Sequence, residues 1–235
     1  VGKGVLVSPT AHGNLIVGPD AQDTKADDTA TSGFGLNFVR QSAVKSVPNI
    51  NFRANIRNFA GVRAASDHED FIIAFAKGQE RFIDVAGIKS PGLTAAPAIA
   101  IMVEKMLAAA GLPLNAKQKF IDERPIIRFN ELSAQQKAEL TAKDPAYGRV
   151  ICRCETITEG EIMAALHGVI PPVSVDGVKR RTNAGMGRCQ GGFCGPRVLE
   201  LIAKTQKRDY CEIDQDGEGT NILIGETKKR GAANV

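Results

Sequence analysis

Tryptophan is missing from this sequence, tyrosine occurs twice, and cysteine is absent from the first 151 of its 235 residues. The shortage of aromatics argues against a stacking platform for single-stranded nucleic acid, which interleaves rings with lysine and arginine. A formal charge of +4 is too mild an excess to imply a nucleic-acid partner by itself. No run approaches 18 continuous apolar residues, so no membrane span is expected, and no signal-peptide pattern is visible. Five cysteines, an odd number clustered after residue 151, do not make a secreted disulfide framework. They fit a local metal site in a reducing, cytoplasmic setting. The chain opens on Val1 and enters a strand-like stretch at once, which leads us to expect that an N-terminal part is missing.

What is present up to Leu112 mixes strands and helices. Lys3–Thr10 and Asn14–Pro19 read as short strands around a turn at His12-Gly13. Apolar residues at Phe34, Leu36, Phe38, Val39, Ala43, Val44 and Val47 predict a helix stopped by Pro48. Ala54–Arg63 alternates enough to predict a strand. Phe71–Lys77 and Arg81–Gly87 read as two buried strands joined at Gly78-Gln79. Thr94–Ala110 reads as a helix with Pro97 in its first turn and Gly111 and Pro113 past its end. Residues 113–147 are more polar and are expected to connect two domains, with one short helix over Ser133–Ala142 capped by Ser133 and Gln136. From residue 148 on, Thr158 with Glu161 marks a second capped helix, and Pro196–Lys207 a third. No internal repeat appears.

The cysteines stand as Cys152-x-Cys154 and Cys189-x4-Cys194. Four thiolates in two close pairs allow several chemistries. Two disulfides are one, although C-x-C does not readily close on itself. A dinucleotide loop at 185–191 lacks G-x-G-x-x-G spacing and a preceding strand. Structural zinc uses C-x2-C to C-x4-C knuckles, which makes the C-x-C half unusual for it. A two-iron, two-sulfide cluster also takes four thiolates and is larger than one ion, so its ligand pairs tolerate other spacings. Arg149, Arg153, Lys179, Arg180, Arg181, Arg188 and Arg197 make the surroundings basic, and Gly185, Gly187, Gly191, Gly192 and Gly195 allow close backbone approach. Both features would raise a cluster's reduction potential. Cys211 reads as an ordinary thiol, and Lys179–Arg181 as either part of this setting or a solvated face.

VICRCETITEGEI, together with GVKRRTNAGMGRCQGGFCGPRV, resembles the bacterioferritin-associated-ferredoxin-like [2Fe-2S] domain. The resemblance covers about residues 148–207. It implies that Cys152, Cys154, Cys189 and Cys194 are the cluster ligands.

GIKSPGLTAAPAIA, residues 87–100, reads as a strand end, a Gly-Pro turn and a helix start. Such an element presents free N–H groups and a positive dipole end, which suit an anion or an electron-rich oxygen. A plain tight turn would have the same sequence. Together with PTAHGNLIVGP and FAGVRAAS, the stretch is similar to the C-terminal half of FAD-dependent oxidoreductases of the D-amino-acid-oxidase superfamily, nearest the glycerol-3-phosphate dehydrogenase-like group. The resemblance implies that Gly87, Ile88, Ser90, Gly92, Leu93 and Thr94 lie against the flavin ring, where N–H groups stabilise negative charge on reduced flavin. It maps Arg63 onto the residue that holds the substrate's anionic group, a role that an arginine fork suits. His12, in the similar turn, is a candidate base. The G-x-G-x-x-G unit that holds the FAD pyrophosphate is not in this chain, so the chain alone is expected to bind FAD poorly and to be inactive.

The expected fold is α+β: residues 1–112 as part of a substrate and flavin domain with a mixed or antiparallel sheet, 113–147 as connection, and 148–235 as a small, mostly helical [2Fe-2S] domain with a tail. The expected function is oxidation of a small anionic alcohol, glycerol 3-phosphate or a 2-hydroxy acid, by hydride transfer to FAD. The cluster would pass electrons to an acceptor or partner redox subunit. Two other classes fit: a non-catalytic electron-transfer module serving a separate flavoprotein, and a zinc-stabilised structural domain.

Overall fold

The computed structural model describes residues 4–121, 123 and 125–228. The chain divides into two units, 1–122 and 123–235. Lys3, the first residue of the expected opening strand, and residues 229–235 of the expected tail lie outside the described residues.

In the first unit, β1 (Leu6–Pro9) pairs antiparallel with β2 (Leu15–Gly18). The turn between them closes through Thr10 N–H to the Asn14 carbonyl at 2.8 Å, with Gly13 at φ +78°. Helix α1 (Gly33–Ser46) starts where the Ser32 hydroxyl accepts the Gly35 N–H. It stops at Val47, which the following Pro48 forces toward extended backbone. A second antiparallel hairpin, β3 (Ile72–Phe75) and β4 (Ile83–Ala86), turns at Gly78, φ +75°.

Three expectations for this unit need correction. The strand predicted over Ala54–Arg63 does not form. After a single 3-10 turn (Phe52–Ala54) the backbone is irregular, because no neighbouring strand supplies a ladder and Asn55 bonds Asn58 locally at 2.7 Å. The β3–β4 pair is not buried: Phe75, Phe82 and Val85 are all exposed, since a two-stranded ribbon with no second layer cannot cover its own faces. Helix α2 (Gly92–Ala109) begins two residues earlier than Thr94, which moves Pro97 beyond the first turn and inside the helix. The Leu93 carbonyl loses its i+4 donor there, at a cost lessened because Leu93 is exposed to water.

Helix α2 is 18 residues long with a mean hydropathy of 1.4, and only Gly92 within it is buried. By length and composition alone it could cross a membrane, although counting continuous apolar residues missed it. Its apolar side and β4 border an open groove of about 510 Å³, lined by Val85, Ile88, Ala96, Ile99 and Val103 among others.

The second unit carries a true core. Helix α3 (Ala134–Lys143) opens on the expected capping box, Ser133 with Gln136. The 3-10 turn Pro145–Gly148 follows and buries Tyr147. Then come a small hairpin, β5 (Val150–Cys152) with β6 (Ile157–Thr158), and helices α4 (Glu159–Leu166), α5 (Val175–Thr182) and α6 (Gly195–Gln206). Neither the hairpin nor α5 was visible in the sequence pattern. Ile162, Val178, Val198, Ile202 and Ile213 are at most 1% exposed, and they pack with Cys152 and Cys194 in one apolar cluster. Truncating Ile202 to alanine there is expected to cost about 2–5 kcal/mol.

Glu161 ties the unit together. Its carboxylate accepts Thr158 N–H and Oγ1–H at 2.8 Å each and the Phe129 N–H at 3.1 Å. A cap of α4 thereby also anchors the 3-10 turn Phe129–Glu131. Residues 129–147 of the segment expected as a connection are thus part of this unit's own fold.

Candidate metal centre and flavin-facing turn

Cys152 ends β5, and a sharp turn with Thr156 at φ +55° carries Cys154 before β6 begins. Cys194 is the N-cap residue of α6, so this ligand and the core residues Val198, Leu199 and Ile202 ride on one helix. Two backbone bonds keep the loop before it tight: Gln190 N–H donates to the Gly187 carbonyl at 2.9 Å, and Gly192 N–H to the Cys189 carbonyl at 3.0 Å. A Cβ on Gly187 would overlap the Cys154 Cβ and meet Glu155 Oε1 at 2.7 Å.

Among the described residues no three His, Cys, Asp or Glu side chains converge as a single-ion site. The thiols form two pairs instead. Cys152 and Cys194 are hydrogen-bonded and buried, at 1% and 2% exposure. Cys154, exposed, and Cys189, half-buried, face each other. Burial first, then the neighbouring Cys152 and Cys189, pushes the Cys194 thiol up to about 12. The Phe193 N–H first, then the Cys154 thiol and the Gly191 and Gly192 N–H groups, holds Cys189 below the usual thiol range. Two thiol pairs with N–H donors aimed at one sulfur fit a two-iron cluster better than one tetrahedral ion.

The basic setting is weaker than the sequence implied. Arg149 pairs with Glu159 at 2.6 Å, Lys179 with Asp176 at 2.7 Å, Arg180 with Asp216 at 2.5 Å and Arg197 with Glu200 at 2.5 Å. Arg181 bonds the Gly177 carbonyl. The run Lys179–Arg181 therefore serves α5 and its neighbours, and much of the expected positive field is cancelled.

In the first unit, Gly87 takes φ +63°, and a Cβ there would sit 2.8 Å from Ser66 Oγ. Ser66 therefore lies beside the end of β4, three residues after Arg63 in the chain. Ser66 Oγ accepts the His68 N–H at 3.3 Å and fixes its loop. Ile88 packs on Gly92, and Ser90 and Pro91 lead into α2, whose first-turn N–H groups, including those of Leu93 and Thr94, have no intrahelical acceptors. Such a strand-turn-helix element fits the edge of a planar, electron-rich ring. Arg63 itself is exposed on irregular backbone. His12 is exposed in the β1–β2 turn, and that hairpin packs on α1. The contributions of Glu161 and Thr156 to holding the site escaped sequence reading. The first had shown only as a cap, and nothing marks the second.

Residues 150–204 match the BFD-like [2Fe-2S] binding domain, and residues 1–106 match the FAD dependent oxidoreductase family. The chain thus joins a stretch similar to FAD-dependent oxidoreductases to a stretch similar to a [2Fe-2S]-binding domain, the two resemblances that the motifs had implied. More particularly, it is 50% identical over 231 residues to glycerol 3-phosphate dehydrogenase of Caloramator mitchellensis, an alignment covering 97% of this chain and 48% of that protein. It is 38% identical over 109 residues to glycerol 3-phosphate oxidase of Mycoplasma genitalium, covering 45% of this chain and 28% of that protein. It is 47% identical over 62 residues to an opine oxidase subunit of Rhizobium meliloti, covering 26% of this chain and 13% of that protein. The chain spans about half the length of the Caloramator protein. No solved structure matches it.

Proposed function

We propose that this chain works as part of a cytoplasmic FAD-dependent dehydrogenase that oxidises a small anionic alcohol, with glycerol 3-phosphate the first candidate and a 2-hydroxy acid the second. The observation that carries the reading is the 50% identity to a glycerol 3-phosphate dehydrogenase along nearly the whole chain, through both modules. Bound FAD would supply hydride acceptance, and a [2Fe-2S] cluster one-electron relay.

The chain's own residues orient and tune. The Gly87–Thr94 turn offers N–H groups to the ring's electron-rich edge. Arg63, three residues before Ser66, offers a fork for a phosphate or carboxylate. His12 is the candidate proton acceptor. Cys152, Cys154, Cys189 and Cys194 would hold the cluster, which would supply a one-electron route toward an acceptor or partner redox subunit.

Anaerobic preparation tests the cluster: about two iron and two sulfide per chain, with colour that dithionite bleaches, is expected. Zinc without colour would sink it. For the enzyme, Arg63→Ala in the full dehydrogenase is expected to raise KM for glycerol 3-phosphate strongly, and unchanged KM and kcat would remove Arg63 from the substrate site.

A second reading has its own support. The first unit buries few side chains while the second holds a complete core, which suits an electron-transfer module that pairs with a separate flavoprotein. Substrate-dependent bleaching of FAD in the full dehydrogenase separates the two readings.

A further inference from the structure

We propose that the outer edge of the cysteine site, built from Arg153, Arg188, Phe193 and Met186, is a docking surface for a small acidic electron-carrier protein. The inference rests on the [2Fe-2S] reading above. The two loops that make this edge are in contact, since Gly187 leaves no room for a Cβ against Cys154. Arg153 and Arg188 each stand one residue from those two thiols, on exposed backbone.

The four cations Arg149, Lys179, Arg180 and Arg197 are neutralised by carboxylates. Arg153 and Arg188 take part in no ion pair among the described residues. Phe193 is 84% exposed although its own N–H faces Cys189, and Met186 is 48% exposed. The Glu155 carboxylate, next to Cys154 in the chain, is turned toward Gly187.

The loops that carry the exposed Cys154 and its neighbour Cys189 therefore also carry uncovered apolar side chains and two arginines that form no ion pair among the described residues. Apolar contact with a charged rim is the make-up of a transient protein interface, and the sign of the rim selects an acidic partner. Two such cations are too few for tight binding to a nucleic-acid backbone. The step itself is one electron leaving the reduced cluster for the oxidised carrier, with no bond made or broken.

The test uses the iron-loaded full chain and flavodoxin as the acidic probe. The chain is reduced with dithionite, and transfer is followed by stopped flow. Binding of oxidised flavodoxin is measured by calorimetry. The rate and affinity are expected to fall about tenfold on raising salt from about 20 to about 300 mM, and about tenfold in R153E/R188E. R153Q/R188Q is expected to lose less, and F193A to lose affinity without a change in salt dependence. Transfer to a neutral quinone reports any change in the cluster's driving force, and the loss with flavodoxin is expected to exceed any change seen with the quinone. Basic cytochrome c is expected to react faster with R153E/R188E than with wild type. Iron-loaded variants that pass electrons to flavodoxin and bind it as wild type does would overturn the docking surface alone. A chain that takes up no iron and sulfide would overturn the cluster reading and this surface with it.

Discussion

Gly187→Ala should cost the protein its metal centre more than its fold. Gly187 does not adopt the left-handed backbone reserved for glycine, so alanine there carries no dihedral penalty. The penalty is steric and falls on a ligand: the new Cβ would overlap the Cys154 Cβ and stand 3.4 Å from its Cα. Carbon atoms rest about 3.5–4.0 Å apart, so the Cys154 turn must retreat by roughly 1 Å. Overpacking of this size costs about 1–3 kcal/mol. A retreat of roughly 1 Å is also large against metal–sulfur bonds that tolerate only about 0.2 Å.

Gly191→Ala is the control. Gly191 sits at φ +85° with nothing within 4 Å of a Cβ. It should lose about 1–2 kcal/mol to backbone strain and keep Cys154 in place. The assay is iron and sulfide per chain with the visible spectrum, beside thermal unfolding of both variants. G187A is expected to lose most of its iron, and G191A to keep it while unfolding at lower temperature. G187A with wild-type iron, spectrum and Tm would refute the steric argument.

Gly160→Ala would bring a Cβ to 2.5 Å from the buried Tyr147 ring, and a loss of about 1–3 kcal/mol should appear in chemical denaturation. Glu161→Ala removes both an N-terminal cap and the bridge to Phe129, so α4 should lose about 1–2 kcal/mol and amide exchange at Phe129 should speed up. In the metal-free protein the Cys194 thiol is raised to about 12, above an unfolded thiol near 9. Its stabilising share is then complete below about pH 9 and disappears as pH rises toward about 12, and a Tm series over that window checks it. Iodoacetamide at neutral pH should modify Cys189 before Cys194, because backbone N–H groups favour the Cys189 thiolate and burial disfavours that of Cys194. Peptide mapping reads the order.

The elements that could be read from sequence were those whose signals are local. The pairs Ser133–Gln136 and Thr158–Glu161 announce helix starts because a cap and its N3 partner are fixed three residues apart, and both boxes form. The cysteine spacing announced a metal site, and the thiols meet as two pairs, Cys152 with Cys194 and Cys154 with Cys189. What escaped reading is set at a distance. Helix α5 offers few apolar residues and a central Gly177, a poor helix former, yet a Cβ at that glycine would crowd the Pro172 side chain at 3.0 Å. Which thiol faces which depends on the left-handed Thr156 and on a hairpin with only five residues in strands, and neither has a pattern of its own. The stretch Ala54–Arg63 failed the other way: its alternation was real, but a strand needs a neighbour.

The burial of the thiols is lopsided, with Cys152 and Cys194 inside the core and Cys154 and Cys189 toward solvent. Damage to the centre therefore has a direction. A peroxide arriving from solvent meets the outer pair first and climbs the sulfenic ladder there, while the inner pair stays shielded by isoleucine and valine. A cluster so attacked would be undone from its outer face and still be moored at the inner one, and reductant and fresh iron would enter by the same door.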